Sequence, residues 1–319
     1  MNLMPVNADV NVVIGASGSL GKAVVHELVR QGKPVRAVSR SGKATLPDSV
    51  EVQLADVSDT GMARRICDGA RVVYLCANPS YQHWILQLPR IMTAVIDAAG
   101  RSGARLVFGD NLYMYGPVGV PMREDLPSNA EGPKGRLRAE IAQMLLHAHR
   151  AGKVRATIGR ASDFFGPGVV NALMGERVFR PALAGGTIWI AGNPDAPHTY
   201  SYIEDVARAL VILGERTEAL GEVWHTPNPE TVTTRRFLEM IFEKAGQRPK
   251  IRSARRWLVK TMGLFSRQMQ EMEEVLYQFE RPFVVDHSKF ERTFGAEATP
   301  LAEAIGRTLD WCRTHPPAT

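Results

Sequence analysis

The chain has 319 residues, of which 45% are hydrophobic and 23% are charged, and its formal net charge is +6. This length and composition are typical of a globular protein with one large or two modest domains. The basic residues are separated by apolar ones, three cysteines make no disulfide framework, and no window reaches the ~20 apolar residues of a membrane span. We therefore expect a cytoplasmic protein without nucleic-acid or membrane partners, and the histidine spacing predicts no metal site.

The first half of the chain alternates short β-rich runs with segments of helical periodicity. Helices are predicted at 19–32, 83–103 and 136–151, the second opened or interrupted by Pro89. Strands are predicted at 10–15, 35–40, 50–56, 71–77, 104–110 and 154–160. Strands that alternate with crossover helices predict an α/β protein with a Rossmann-type, doubly wound parallel sheet.

From about residue 170 the alternation gives way to glycine- and proline-rich stretches and then to helical patterns, including the Met-rich segment 260–279. The first 170 residues, rejoined by 196–228, are expected to form a dinucleotide-binding domain. Residues 171–195 and 229–319 are expected to form a smaller, mainly helical substrate-binding subdomain.

The run "GASGSLG" places glycines at 15, 18 and 21, directly after the first predicted strand and at the start of the first helix. In that context a tight turn lets backbone N–H groups and the helix N-terminus meet a pyrophosphate. The motif therefore predicts dinucleotide binding, although a glycine-rich turn without a ligand has the same letters.

The end of the second predicted strand, "VSRSGK", indicates which dinucleotide is bound. An acidic residue near this point binds the ribose 2′-hydroxyl of NAD, but Ser39, Arg40 and Lys43 occupy the region here. A guanidinium suits a 2′-phosphate, so we expect NADP(H) in preference to NAD(H). Asp56, at the end of the third strand, is expected to bond the adenine amine.

Four motifs in order, "GASGSLG", "VFGDNLYMYGP", "GRASDFFGPG" and "YSYIEDVARAL", resemble the extended short-chain dehydrogenase/reductase superfamily of the NAD-dependent epimerase/dehydratase type. The resemblance covers nearly the whole chain and implies a nicotinamide cofactor and a small-molecule substrate. It also implies a homodimer through helices at about 83–101 and 136–150. It does not identify the substrate.

In that superfamily a serine or threonine ends the fifth strand and a later helix carries Tyr-x-x-x-Lys. Matched to these motifs, the Ser/Thr position falls at Asn111, the lysine position at Arg136 and the tyrosine position at Gly132. The helix that begins "GPKGRLRAE" thus lacks the usual acid, because glycine carries no proton to donate.

Two interpretations of the missing acid remain open. In the first, Tyr113 in the loop after strand five donates the proton, Asn111 orients the substrate, and Arg136 or Lys134 anchors the cofactor. In the second, the fold binds its dinucleotide without catalysis and serves as a sensor.

Two further positions bear on the substrate. The superfamily's nucleotide-sugar members carry an asparagine where this chain has Asp163 and a diphosphate-binding arginine where it has His198. An acid in place of an amide and a histidine in place of an arginine both disfavour a negatively charged diphosphate. We therefore expect an oxidoreductase that reduces a carbonyl or activated double bond of a small, non-nucleotide substrate, with a nucleotide-sugar epimerase or dehydratase as the alternative.

The predicted site comprises three sets of residues. The catalytic set is Tyr113, Asn111 and Arg136. The cofactor-binding set is Gly15, Ser17, Gly18, Ser19, Leu20, Gly21, Ser39, Arg40, Lys43, Asp56, Val57, Leu75, Cys76, Ala77, Lys134, Arg136 and Ala161. The substrate-binding set is Asn78, Tyr113, Asp163, Phe164 and His198.

Overall fold

The computed structural model describes residues 9–254 and 274–315. By its internal contacts the chain divides into two compact units. Unit 1 comprises the described residues up to Asn111, Leu137–Arg160 and Val206–Thr226, and unit 2 comprises Leu112–Arg136, Ala161–Asp205 and the described residues from Pro227 onward.

The strands of the described residues, in chain order, are β1 Val10–Ile14, β2 Val35–Ser39, β3 Val52–Leu54, β4 Ala70–Leu75, β5 Arg105–Asp110, β6 Arg155–Arg160, β7 Asp163–Phe165, β8 Ile188–Ala191, β9 Pro197–His198, β10 Tyr200–Tyr202, β11 Val223–His225, β12 Val232–Thr233 and β13 Ile251–Ala254. The α-helices are α1 Ser19–Arg30, α2 Thr60–Cys67, α3 Trp84–Ser102, α4 Pro133–Arg150, α5 Glu176–Leu183, α6 Ile203–Glu215, α7 Thr234–Ala245, α8 Tyr277–Glu280, α9 Ser288–Phe294 and α10 Leu301–Thr314.

Unit 1 is built on a seven-stranded sheet in the order β11-β6-β5-β4-β1-β2-β3, and every neighbouring pair is parallel. All five residues of β1 are buried, as are five of the six in β4. Helix α1 packs on β1 and β2, and α3 packs on β4 and β5. Valine-rich strands suit this position, because a parallel sheet covered by helices has no solvated face.

Successive strands join the sheet on one side of β1 as far as β3, and from β4 to β6 they join it on the other side. In open parallel sheets, ligands bind beside the carboxyl ends of the strands at such a switch point. The loops that follow β1, β2 and β4 are therefore the ones that position a site in unit 1.

The described residues of unit 2 form three two-stranded ladders, β7 with β10, β8 with β13 and β9 with β12. Its core is aromatic: Phe165, Phe179 and Phe237 are fully buried and their ring centroids lie 5.1–6.3 Å apart. Tyr200 stacks on Phe237 at 4.3 Å. Helices α5, α7 and α10 pack around this core.

The predicted fold class, a Rossmann-type parallel sheet flanked by helices, is confirmed. The third strand is shorter than predicted, and α3 continues through Pro89 without a break. Most of the Met-rich segment lies outside the described residues, which resume at Glu274. The predicted division into a dinucleotide-binding domain and a substrate-binding subdomain assigns a function to each part of the chain, and it stays a prediction. Within the described ranges, no helix combines the length and apolar character that crossing a bilayer requires.

Candidate cofactor and catalytic sites

The turn between β1 and α1 requires glycine at two positions, because a side chain at either one would clash with the protein's own backbone. Gly15 has φ +90°, and a Cβ added there would lie 2.6 Å from the backbone nitrogen of Ala77. A Cβ at Gly21 would lie 2.2 Å from the carbonyl oxygen of Gly15. These two glycines let the turn pass close to the end of β4 and let α1 start close to β1.

Gly18 is different, because the protein itself leaves room for a side chain there. Its φ is −80°, and an added Cβ would meet only the Gly15 carbonyl oxygen, at 3.4 Å. Gly18 is exposed and precedes the first residue of α1, whose first turn holds no acidic side chain. A helix N-terminus of this kind attracts anions, and the missing side chain leaves the backbone open to one. The turn therefore fits a pyrophosphate.

The side chains around the turn complete this part of unit 1. Ser17 is exposed, Ser19 is half-buried, and Leu20 packs against Gly109 of β5, where a Cβ would approach the leucine methyl to 2.8 Å. Gly109 thus gives α1 its close contact with the sheet.

The segment after β2 forms a compact turn. The hydroxyl of Ser39 donates to the carbonyl oxygen of Lys43 at 3.3 Å, and Gly42 adopts φ +65° between them. Arg40 is exposed, and its guanidinium donates to Gln87 of α3 at 3.3 Å. The turn presents Arg40 and Lys43 as basic side chains beside the carboxyl end of β2.

Asp56 follows β3 and folds back on its own turn. Its Oδ1 accepts from the backbone N–H of Ser58 at 3.0 Å and from the Ser58 hydroxyl at 2.7 Å. These bonds, with a smaller contribution from Arg40, hold the pKa of Asp56 below its usual value. Val57 beside it is buried.

The backbone at the end of β4 lies next to the glycine turn. Leu75 is buried, and the N–H of Cys76 donates to the carbonyl oxygen of Ile14 at 2.9 Å, which continues the ladder past the strand. Ala77 is half-buried and Asn78 is exposed.

A buried charge cluster at the ends of β5 and β6 was not predicted from the sequence. Asp110 lies opposite Arg160 in the strand register, and its Oδ2 is 3.3 Å from the Arg160 Nε. Its Oδ1 is 3.5 Å from Nε of Arg138 and accepts the backbone N–H of Asn111 at 2.9 Å. The guanidinium of Arg138 also lies over the ring of Trp84, 4.5 Å from the centroid. Two arginines share one carboxylate, so the cluster carries one excess positive charge.

In unit 2, the position that lacks the tyrosine is filled by another part of the chain. A Cβ at Gly132 would lie 2.3 Å from Oε1 and 2.6 Å from Cγ of Glu274. That carboxylate accepts the backbone N–H of Lys134 at 2.7 Å and pairs with the Lys134 ammonium at 3.0 Å. Lys134 is buried in this pair, whereas Arg136 is exposed and its guanidinium donates to the Glu131 carbonyl oxygen.

The loop of the predicted proton donor is a single 3₁₀ turn, Tyr113–Tyr115. Tyr113 is half-buried and Tyr115 is fully buried. A Cβ at Gly135 would lie 2.6 Å from the carbonyl oxygen of Tyr113, so the start of α4 can approach this turn only because position 135 is glycine.

Two of the residues predicted to contact substrate, Asp163 and His198, are bonded to each other. The Nε2 of His198 is 3.0 Å from Oδ2 of Asp163, and its Nδ1 is 3.0 Å from the carbonyl oxygen of Gln278. A carbonyl oxygen only accepts, so Nδ1 is the donor to Gln278, and Nε2 faces the Asp163 carboxylate.

His198 is also enclosed by aromatic rings. The imidazole stacks on Tyr200, Phe279 and Phe283 at centroid distances of 4.5, 4.8 and 5.1 Å, and the residue is 1% exposed. Both ring nitrogens of His198 are therefore engaged in the interior of unit 2.

The predicted site residues fall into both units. Those that lie together around the β1, β2, β3 and β4 ends in unit 1 are Gly15, Ser17, Gly18, Ser19, Leu20, Gly21, Ser39, Arg40, Lys43, Asp56, Val57, Leu75, Cys76, Ala77 and Asn78; Asn111 follows β5 in the same unit. Tyr113, Lys134, Arg136, Ala161, Asp163, Phe164 and His198 belong to unit 2.

Comparison with known proteins gives one family. The model of the NAD dependent epimerase/dehydratase family matches residues 11–225, more than half of the chain. A curated relative, dTDP-6-deoxy-L-talose 4-dehydrogenase (NAD(P)(+)) from Kitasatospora kifunensis, is 23% identical over 252 residues, 73% of this chain and 78% of that protein.

Solved structures of similar fold include UDP-glucose 4-epimerase from Thermus thermophilus in complex with NAD, with a TM-score of 0.77 and 20% identity over 96% of this chain and 99% of that one. UDP-N-acetylglucosamine 4-epimerase from Bacillus cereus gives a TM-score of 0.78 and 15% identity over 98% of each chain. At these identities the structures establish the fold.

Proposed function

Because the chain belongs to the NAD dependent epimerase/dehydratase family, we propose that it is an NAD(P)-dependent enzyme that interconverts a secondary alcohol and a ketone on the sugar of a nucleotide sugar. The observation that carries the proposal is the β1–α1 turn, where Gly18 leaves the backbone open to a pyrophosphate although the fold does not need glycine there. The relatives' names support this class of substrate, and they favour it over the non-nucleotide substrate expected from the sequence.

The cofactor, when bound, supplies or accepts the hydride. We propose that the glycine turn receives its pyrophosphate and that Asp56 faces the adenine. Arg40 and Lys43, on the turn after β2, favour NADP(H) because two exposed cations suit a 2′-phosphate. The names of the relatives include both cofactors: one relative is named for NAD(P)+, and another was solved with NAD.

The roles of the remaining predicted residues are proposals from the resemblance of the motifs to those of the family. Asn111 would bond the substrate oxygen, and the N–H of Asn111 is already fixed by Asp110. Arg136, which stands at the lysine position and is exposed, would bind the nicotinamide ribose. Lys134 is less suited to that task because Glu274 neutralises it. Tyr113 is the proton donor predicted from its position alone.

A second candidate, a ketone substrate without a nucleotide, is favoured by the geometry around His198. A side chain whose two ring nitrogens bond Asp163 and Gln278 has no donor left for a diphosphate. The Asp163 carboxylate beside it would also repel one.

The substrate class can be tested by turnover and by binding. Purified protein would be supplied with NADPH or NADH and with dTDP- and UDP-4-keto sugars, and in parallel with simple ketones, enones and quinones. Turnover and calorimetric binding of the nucleotide sugars support the first candidate, and turnover of simple carbonyl compounds alone supports the second. If the protein binds NADPH and turns over neither class, the sensor interpretation replaces both.

A further inference from the structure

A buried arginine in unit 1 keeps polar atoms for which its surroundings provide no hydrogen bond. The side chain of Arg138 is 4% exposed, and within the described residues its Nε and Nη1 have no hydrogen-bond partner. Its guanidinium lies 4.5 Å from the ring centroid of Trp84 and 5.6 Å from that of Phe108. A buried charge without all its hydrogen bonds costs free energy, so the presence of Arg138 here calls for an explanation.

Charge balance alone does not account for Arg138. Asp110 already has a counter-ion in Arg160, which lies opposite it in the strand register and approaches its Oδ2 to 3.3 Å. Arg138 approaches the other oxygen to 3.5 Å and adds a second positive charge to the same carboxylate. Replacing a buried ion by an apolar side chain is often neutral or stabilising, so the stability of unit 1 does not require an arginine at position 138.

The first contact of Arg138 leads to the residue that follows β5. Oδ1 of Asp110, the oxygen that faces Arg138, accepts the backbone N–H of Asn111 at 2.9 Å. Asp110 is the last residue of β5, so this bond fixes the direction in which the chain leaves the strand. Because the nearby cation holds the carboxylate in the orientation that the N–H needs, Arg138 acts on the backbone of Asn111.

The second contact leads to the segment that follows β4. The Arg138 guanidinium covers the ring of Trp84, which is 1% exposed and is the first residue of α3. The indole N–H of Trp84 donates to the carbonyl oxygen of Pro79 at 2.8 Å. Asn78 directly precedes Pro79 and is exposed. The group that covers Trp84 therefore also acts on the turn that carries Asn78.

We propose that Arg138 is a positioning residue that holds Asn78 and Asn111 in fixed relative places at the carboxyl ends of β4 and β5. The inference rests on the proposed function, in which Asn111 bonds the substrate oxygen, and on the predicted substrate contact of Asn78. The two strands are neighbours in the parallel sheet, so the segments that follow them leave it side by side. The planar guanidinium covers an indole with its face and turns its edge to a carboxylate, which the ammonium of a lysine cannot do.

The test compares three variants. Arg138→Met removes both the charge and the stacked group, Arg138→Lys keeps only the charge, and Arg64→Met is the matched control. Arg64 also shares one carboxylate with a second arginine, because Asp97 pairs with both Arg64 and Arg101. That cluster is exposed and lies on α2 and α3, away from the ends of the strands.

A readout that needs no substrate follows both ends of this network by NMR of protein labelled with ¹⁵N at tryptophan and asparagine. The indole N–H of Trp84 is assigned from its absence in Trp84→Phe, and the backbone N–H of Asn111 from its absence in Asn111→Ala. Arg138→Met should shift both resonances, Arg138→Lys chiefly that of Trp84, and Arg64→Met neither. Unchanged resonances in Arg138→Met would overturn the inference.

Activity provides the second readout. A misplacement of about 1 Å costs about 10²-fold, so kcat with a nucleotide sugar and NADPH should fall about 10- to 100-fold in Arg138→Met. Asp110 keeps Arg160 in this variant, so the midpoint of thermal unfolding should stay unchanged or rise, and the loss cannot be attributed to unfolding. Wild-type kcat in Arg138→Met would contradict the inference.

A combination of variants separates positioning from a general structural role. The loss in Arg138→Met should not multiply with the loss caused by Asn78→Ala and Asn111→Ala together, because Arg138 acts through those two side chains. Multiplicative losses would indicate an independent structural role and overturn the inference. Shifted resonances in a protein that turns over no nucleotide sugar would support the placement by Arg138 and overturn the proposed function instead.

Discussion

Replacement of Asp110 by asparagine should destabilise unit 1 strongly. The Asp110 side chain is fully buried and is the counter-charge of two arginines whose side chains are 7% and 4% exposed, Arg160 and Arg138. Breaking a buried ion pair by removing one partner costs about 3–5 kcal/mol, because the other charge is left uncompensated. The N–H of Asn111 would also lose the charge on its acceptor.

The matched control is Asp125→Asn, because Asp125 pairs with Arg123 at 2.7 Å on the surface. An exposed pair contributes little to stability, because water and salt screen its charges. The free energy of unfolding from urea titrations should therefore fall by several kcal/mol in Asp110→Asn and hardly change in Asp125→Asn. Adding Arg138→Met to Asp110→Asn should recover part of the loss, because it removes one of the two unpaired charges. A loss below about 1 kcal/mol in Asp110→Asn would refute the argument that this cluster is held together by charge.

Three further predictions follow from local geometry. Replacing Arg40 and Lys43 with alanine should weaken NADP⁺ binding by about 10- to 100-fold and NAD⁺ binding much less, measured by calorimetry, and equal losses would contradict the 2′-phosphate assignment. Gly132→Ala should destabilise the protein by about 1–3 kcal/mol in urea unfolding, and a second change, Glu274→Ala, should relieve the clash. Burial raises the pKa of the Cys67 thiol to about 12, so its thiolate forms only near that pH. Alkylation of the folded protein at pH 8 should therefore leave Cys67 unmodified. Rapid labelling of Cys67 at pH 8 would mean that the protein opens locally around this thiol.

The order of the strands and the glycine turn could be predicted from the sequence because their signals are local. Hydrophobic runs alternate with helical periodicity, and the glycines at 15 and 21 are required by backbone contacts within one β–α unit. The pairing of Asp110 with Arg160 could have been found in the same way, since each ends a strand and the two strands are neighbours in a parallel sheet.

The candidate catalytic region could be predicted only in part, because its contacts join distant segments. Glu274 lies 140 residues after Lys134, and nothing in the spacing indicates that it fills the space beside Gly132. The aromatic enclosure of His198 combines residues near 200 and near 280 in the same way. The motif spacing marks Gly132 and His198 as departures from the superfamily's pattern, but only the fold indicates which side chains occupy the space around them.

The central claim is that the β1–α1 turn of unit 1 binds the pyrophosphate of a nicotinamide dinucleotide. The most direct measurement is calorimetric titration of NADP⁺ and NAD⁺ into the wild-type protein and into Gly18→Ala, with thermal unfolding recorded for both proteins. A methyl at position 18 meets only an ordinary 3.4 Å contact, so the unfolding midpoint should stay constant while the affinity falls at least about tenfold. Absence of binding to the wild type, or equal affinity in Gly18→Ala, would contradict the claim.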